Sequence, residues 1–284
     1  MRGIVLAGGT GSRLWPITRA VSKQLLPVYD KPLIYYPIST LMLSGIREIL
    51  IITTPQDQEI YKELLGDGSQ IGVSFKFEVQ PEPKGLAQAF TIGEEFLQGE
   101  SCLMILGDNI FHGSGLGREI QNSIPKIGTH IFTYEVKNPN EYGVLEVDSN
   151  GHPLSITEKP KLFISNLAIT GLYAFDSNVS EIAKSLKPSA RGEFEITSVL
   201  EKYLELNKLS FTALSRGVAW LDTGNPKSLN DAANYIRIIE ERTGLKVGCI
   251  EEIAFRSSWI DKEQLIKLAS KLGKNSYSEY LMAL

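Results

Sequence analysis

The chain has 284 residues, 43% of them hydrophobic and 22% charged, with a formal net charge of -4. This composition belongs to a globular protein long enough to bury a large core without disulfide or metal staples. The charge gives no reason to expect nucleic acid or an anionic membrane as a partner. Two cysteines, Cys102 and Cys249, form no paired framework, and no membrane-length apolar run or secretory leader is recognisable, so a cytoplasmic setting is expected.

In chain order, apolar runs at 3–7 (GIVLA), 48–54, 73–79, 102–107 and 129–136 predict strands. Between them 33–45, 56–65 and 85–97 predict helices, the last with Leu86, Ala89, Phe90, Phe96 and Leu97 at helical spacing. Such alternation predicts a Rossmann-like α/β fold, with a mostly parallel mixed sheet flanked by helices. The middle section reads as short strands at 142–148 and 153–160 around the turn SNGH, then a strand at 167–176. Helices are predicted at 178–186, 194–207 and 226–242, with a short strand at 219–222 before the last. Beyond Gly244 one helix is predicted, 261–272, capped by Asp261 and stopped by Gly273. The expected organisation is an α/β domain over 1–243, with an inserted part from 138 onward, followed by a helical appendage over 244–284.

The first strand runs into the glycine-rich stretch GGTGSR. It is not a P-loop, because no lysine follows the glycines, and not a dinucleotide fingerprint, because Leu14 stands at the third glycine position. The residue types nevertheless suit phosphate. Gly8, Gly9 and Gly11 allow close backbone approach, and their amides, with those of Thr10 and Ser12, could form an anion nest. Arg13 could fork onto a phosphate while Lys23 supplies a movable charge. Two aspartates, Asp108 in GDN and Asp222 in WLDTG, each follow a short apolar strand, where open α/β sheets bind ligands.

The stretch LAGGTGSRLWPITRAVSKQLLPV resembles the signature of the sugar-phosphate nucleotidylyltransferases, with arginine, two prolines and lysine at matching spacing. Within them the chain is similar to the thymidylyltransferases that act on glucose 1-phosphate, through SKQLLPVYDKPLIYYPISTLMLSGIREILI, GLAQAF, LGDNIF, YGVLE, EKP, TGLYAFD, KPSARGEFEIT, AWLDTG and EEIAFR. The resemblance implies that dTTP and glucose 1-phosphate give dTDP-glucose and pyrophosphate, with Mg²⁺ held by Asp108 and Asp222. It makes 1–137 the nucleotide part, 138–243 the sugar part and 244–284 an interface element of a homotetramer.

The same resemblance assigns residues. Arg13, Lys23, Asp108 and Lys159 are implied to be catalytic. Gly8, Gly9, Gly11, Ser12, Arg13, Gln80, Pro83 and Gly85 are implied to hold the nucleotide, with Gln80 reading the base edge, a task that suits an amide. Lys23, Asn109, Gly143, Glu158, Lys159, Ile169, Thr170, Tyr173, Arg191 and Trp220 are implied to surround the sugar phosphate. Phe111, His112, Arg216, Gly217, Glu252 and Arg256 match segments near a second site at which a dTDP-sugar inhibits.

Several positions depart from the pattern: Ser12 for threonine, Lys84 for aspartate, Leu167 for tyrosine, Val199 and Leu200 for a more polar pair, and no histidine after DTG. Two other readings stay open on sequence: the same chemistry with UTP or another sugar 1-phosphate, and a dTDP-sugar sensor without turnover.

Overall fold

The computed structural model describes residues 1–284. The chain opens with β1 (Arg2–Leu6), passes a small hairpin of β2 (Pro27–Val28) and β3 (Lys31–Pro32), and enters α1 (Tyr35–Leu43). It then runs β4 (Glu48–Thr53), α2 (Gln58–Leu65), β5 (Ser74–Val79), α3 (Gln88–Ile92), α4 (Glu94–Leu97), β6 (Cys102–Leu106), β7 (Asn109–His112), α5 (Leu116–Ser123) and β8 (Thr129–Glu135). Next come β9 (Gly143–Val147), β10 (Pro153–Glu158), β11 (Leu167–Phe175), α6 (Val179–Ser185), α7 (Ile196–Glu205), β12 (Leu209–Ala213), β13 (Ala219–Asp222) and α8 (Pro226–Thr243). Helices α9 (Ile250–Arg256), α10 (Lys262–Lys271) and α11 (Ser276–Ala283) close the chain.

Nine strands form one mixed sheet. Strands β5, β4, β1 and β6 lie side by side and parallel. β11 joins β6 antiparallel and carries β8 and the β9–β10 hairpin along its length, and β12 runs parallel to β8. Alternate side chains feed two cores. Val5, Ile49, Ile51, Leu103 and Ile105 pack with α1 on one face, and Ile4, Leu6, Leu50, Ile52 and Met104 pack with α3 and α7 on the other. Burial on both faces explains why these strands read as unbroken apolar runs.

The connection after β1 crosses by α1 to β4 on one side. The chain returns to the other side of β1 only with β6. The carboxyl ends of β1 and β6 therefore flank a topological switch point, where an open α/β sheet leaves a crevice.

The structure departs from the sequence expectations in specific places. The helix expected over 85–97 is two short helices divided at Gly93. A Cβ there would lie 2.9 Å from the Ala89 carbonyl oxygen and 3.0 Å from Leu50 Cδ2, so glycine lets the segment pack close over β4. The region after Gly244 holds three helices instead of one: α9 buries Ile250 and Ala254 in the main core, and α10 and α11 close around Leu265, Ala269 and Leu281. Strands β7 and β12 and helix α5 were not anticipated. No helix is long and apolar enough to cross a membrane.

Candidate active site

At the end of β1 the backbone stays tied to both neighbours: the Ala7 amide donates to the Ile52 carbonyl at 2.7 Å, and the Gly107 amide to the Leu6 carbonyl at 2.9 Å. The glycine loop then turns over the crevice. A Cβ on Gly8 would collide with the Gln80 side-chain amide, so only glycine lets the loop lie against that residue. The loop closes as a 3-10 turn, with the Leu14 amide bonded to the Gly11 carbonyl at 2.9 Å, and Thr18 Oγ1 donates to the same carbonyl at 2.7 Å. The turn carries Arg13 toward Gly224 and Asp222.

Asp108 sits just past β6, at the switch point. Its Oδ2 lies 2.5 Å from Lys23 Nζ, and its Oδ1 accepts from Asn109 Nδ2 at 2.8 Å. Asp222 comes from the far end of the chain. Strand β13 pairs antiparallel with β7, placing Asp222 opposite Asn109. Thr223 locks the junction, donating its amide at 3.2 Å and its Oγ1 at 2.8 Å to the Asp108 carbonyl. The two carboxylates differ electrostatically. Burial pushes both up, but at Asp108 the Lys23 charge and hydrogen bond, with the hydrogen bonds from Asn109 and the backbone, together outweigh it and hold that carboxyl below the usual range. Asp222 is raised by burial and by the Asp108 charge, against Lys23 and Arg13. The donor set fits a hard divalent cation, which takes one or two carboxylates and fills the rest of its shell with phosphate oxygens and water. No group of three or more His, Cys, Asp or Glu residues is poised to hold a metal.

A cleft of about 360 Å³ lies over this junction. It brings together Gly8, Gly9, Gly11, Ser12, Arg13, Lys23, Gln80, Pro83, Gly85 and Asp108 of the residues singled out above. Gln80 is held in one orientation: its Nε2 donates to the Gly85 carbonyl at 3.1 Å and to Gln88 Oε1 at 2.9 Å. A carbonyl can only accept, so the amide nitrogen must face it, and Oε1 is left as an acceptor beside Gly8. Gln24 lines the same cleft and was missed on sequence. Its Oε1 accepts from Ser22 Oγ at 2.8 Å, which leaves its Nε2 as a donor. Adjacent to Lys23, it carries no sequence signal separating it from a surface glutamine. Glu193 and Glu195 also line the cleft and were not foreseen.

The remaining residues arrange around β11. Asn109 Oδ1 accepts from Trp220 Nε1 at 2.6 Å and from the Gly171 amide at 3.2 Å. The Trp220 ring lies 5.1 Å from that of Tyr142, which sequence reading also passed over. Tyr173 is buried, and its hydroxyl pKa is raised by burial and then by the charges of Glu158 and Asp108. Gly143 and Ile169 lie beside Glu158. Thr170 does not reach the cleft: it is fully buried, and its Oγ1 donates to the Phe132 carbonyl at 2.8 Å. Lys159 and Arg191 lie outside the main cleft, in a neighbouring concavity of about 340 Å³ shared with Glu158 and Glu195.

Of the six residues matched to a second site, Phe111, His112, Glu252 and Arg256 line one separate cavity of about 260 Å³, whereas Arg216 and Gly217 do not line it. Strand β7 joins the two places, with Asn109 at one end and Phe111 and His112 at the other. Of the departures from the pattern, Ser12 lines the cleft, whereas Val199, Leu200 and Lys84 lie away from the junction. Val199 and Leu200 are fully buried on the core-facing side of α7, and Lys84 pairs with Glu82 at the surface.

A model of the nucleotidyl transferase family matches residues 2–238. The chain is 51% identical to a glucose-1-phosphate thymidylyltransferase of Neisseria meningitidis serogroup A, over 100% of this chain and 99% of that one. It is 54% identical to one from Mycolicibacterium smegmatis, over 100% and 99%. Among solved structures, a Bacillus anthracis protein assigned as a glucose-1-phosphate thymidylyltransferase, in complex with sucrose, aligns with TM-score 0.77 at 40% identity, covering 84% of this chain and 95% of that one. A UDP-glucose pyrophosphorylase complexed with UDP-glucose shares the fold, with TM-score 0.71 at 24% identity over 84% and 98%. The chain belongs to the nucleotidyl transferase family, in the group of glucose-1-phosphate thymidylyltransferases.

Proposed function

We propose that the protein transfers a thymidylyl group from dTTP to α-D-glucose 1-phosphate, giving dTDP-glucose and pyrophosphate. The observation that carries this reading is the meeting of Arg13, Lys23, Asp108 and Asp222, drawn from both ends of the chain, at the sheet's switch point. In the reaction an oxygen of the sugar phosphate attacks the α-phosphorus. The bond from that phosphorus to the oxygen bridging to the β-phosphate breaks, and pyrophosphate leaves with the electron pair. The transition state spreads negative charge over several oxygens, so catalysis is positioning and neutralisation.

The residues divide the work by location. The glycine loop and Arg13 hold the triphosphate, Lys23 stands at the reacting end beside Asp108, and Gln80 Oε1 accepts from the base N3–H. Lys159 and Arg191 meet the sugar phosphate, with Asn109, Glu158, Tyr173 and Trp220 around the hexose. Asp108 and Asp222 would hold Mg²⁺, which supplies neutralisation of phosphate charge when bound. Residues 1–137 form the nucleotide part, 138–243 the sugar part and 244–284 an interface of a homotetramer working in the cytoplasm. The cavity at Phe111, His112, Glu252 and Arg256 would take a dTDP-sugar as an inhibitor. Thymine and uracil both carry N3–H, so the base edge that Gln80 meets does not separate dTTP from UTP. The test is pyrophosphate release with each NTP in turn, offered with glucose 1-phosphate.

A further inference from the structure

Glu195 occupies the wall between the two concavities, lining both the cleft over Asp108 and the concavity holding Lys159 and Arg191. It is the N-cap residue of α7, yet its side chain caps nothing. Ser, Thr, Asp and Asn serve that position better, and a missing cap costs helix stability. The carboxylate is turned elsewhere. Its Oε1 accepts from Arg191 Nη2 at 2.9 Å, from Arg191 Nε at 3.1 Å and from Ser189 Oγ at 2.9 Å. The side chain is 14% exposed, so this contact is better shielded than an ordinary surface pair, while Arg191 is 48% exposed and keeps Nη1 clear of it.

The loop that carries Arg191 is itself held. The Ser189 amide donates to the Glu193 carbonyl and the Gly192 amide to the Ser189 carbonyl, both at 2.8 Å. The loop is also hooked onto the base-side segment: the Phe194 amide donates to the Lys84 carbonyl at 2.7 Å, and the Ala87 amide to the Phe194 carbonyl at 3.0 Å. Gly85 makes this contact possible, since a Cβ there would run into the Phe194 backbone. Backbone bonds thus fix the loop, and Glu195 fixes the arginine's direction from it.

We propose that Glu195 is a positioning residue: it orients the Arg191 guanidinium toward the sugar phosphate without touching substrate. The proposal rests on the reading that Arg191 meets the sugar phosphate. A planar guanidinium held through Nε and Nη2 presents its remaining edge in a fixed direction, and little of its rotamer freedom is then lost on binding. The third bond, from Ser189, closes the loop around the same oxygen.

The experiment is steady-state pyrophosphate release by four proteins: wild type, Arg191→Ala, Glu195→Gln and the double variant. Losing a charge-assisted hydrogen bond in Glu195→Gln is expected to raise the KM for glucose 1-phosphate about tenfold. The KM for dTTP should stay within about twofold, which also reports that the variant is folded. In the Arg191→Ala background the Glu195 change should add less than about twofold, because the two residues act as one unit. Glu195→Asp, which restores the charge, should recover part of the loss. An equal rise in both KM values, a lower KM for glucose 1-phosphate, or additive losses in the double variant would each overturn the proposal. If Arg191→Ala itself leaves the KM for glucose 1-phosphate unchanged, the assignment of Arg191 fails instead.

Discussion

Lys23 Nζ and Asp108 Oδ2 lie 2.5 Å apart, with the lysine side chain 9% exposed and the aspartate 26%. A shielded pair of this kind stands between two demands. The carboxylate is a candidate for holding a divalent cation, and the lysine for neutralising phosphate; the lysine helps keep the carboxylate charged until substrate arrives. Breaking one member of a shielded pair leaves an uncompensated charge.

Asp108→Ala is therefore expected to lose at least about a hundredfold in kcat. Raising Mg²⁺ should not restore it. The Asp108→Asn variant keeps the shape and loses the charge, and pyrophosphate release should fall as far. Near-normal turnover in either variant would remove Asp108 from the proposed metal pair.

The Gly8–Gln80 contact gives a prediction confined to the nucleotide. Gly8→Ala must push the loop or the Gln80 amide aside. The KM for dTTP should rise about tenfold or more, as for a lost hydrogen bond plus displaced backbone donors, with the KM for glucose 1-phosphate little changed. Equal effects on both substrates would mean that the loop serves the fold as a whole and not the nucleotide.

Trp220 and Asn109 give the converse. Trp220→Phe keeps the ring and removes the Nε1 donor that sits 2.6 Å from Asn109 Oδ1. Asn109 is then less firmly aimed, and the KM for glucose 1-phosphate is expected to rise about threefold to tenfold. Kinetics with dTTP at saturating sugar phosphate should be unchanged; a rise confined to the dTTP KM would contradict the placement.

His130 supplies a pH dependence away from the site. Its ring is buried between β8 and β12, with Nδ1 2.8 Å from Ser210 Oγ and Nε2 2.9 Å from Thr212 Oγ1. Burial pushes its pKa down from 6.5 to about 4. A histidine held neutral in the fold takes up its proton first in the unfolded chain, so stability is full above pH 6.5 and falls as pH drops toward 4. The loss between about pH 7.5 and pH 5 should be about 2 kcal/mol. Chemical denaturation should show this slope in wild type and a flatter one in His130→Gln.

Much of the fold was legible because β1, β4 and β6 are buried on both faces and so read as continuous apolar runs. What escaped notice was short or closed by tertiary contact. Four residues of β7 carry no periodicity of their own, and they become a strand only by pairing with β13. The break at Gly93 depends on how closely the segment packs over Leu50, which lies on another element. In the site, Arg13, Lys23, Asp108 and Asp222 stood out through spacing and strand-end position. Gln24, Tyr142 and Glu195 did not, because their meaning lies in whom they face. Thr170 was singled out by the segment it belongs to, but the pleat of β11 turns its side chain inward, to the Phe132 carbonyl.

The central claim is thymidylyl transfer to glucose 1-phosphate at the junction of the glycine loop, Lys23, Asp108 and Asp222. Its most direct test is pyrophosphate release from dTTP, UTP, ATP, CTP and GTP, each with glucose 1-phosphate and Mg²⁺. The account predicts rapid release with dTTP, with dTDP-glucose formed in equal amount. Release with UTP alone, or dTDP-glucose binding without release from any NTP, would contradict it.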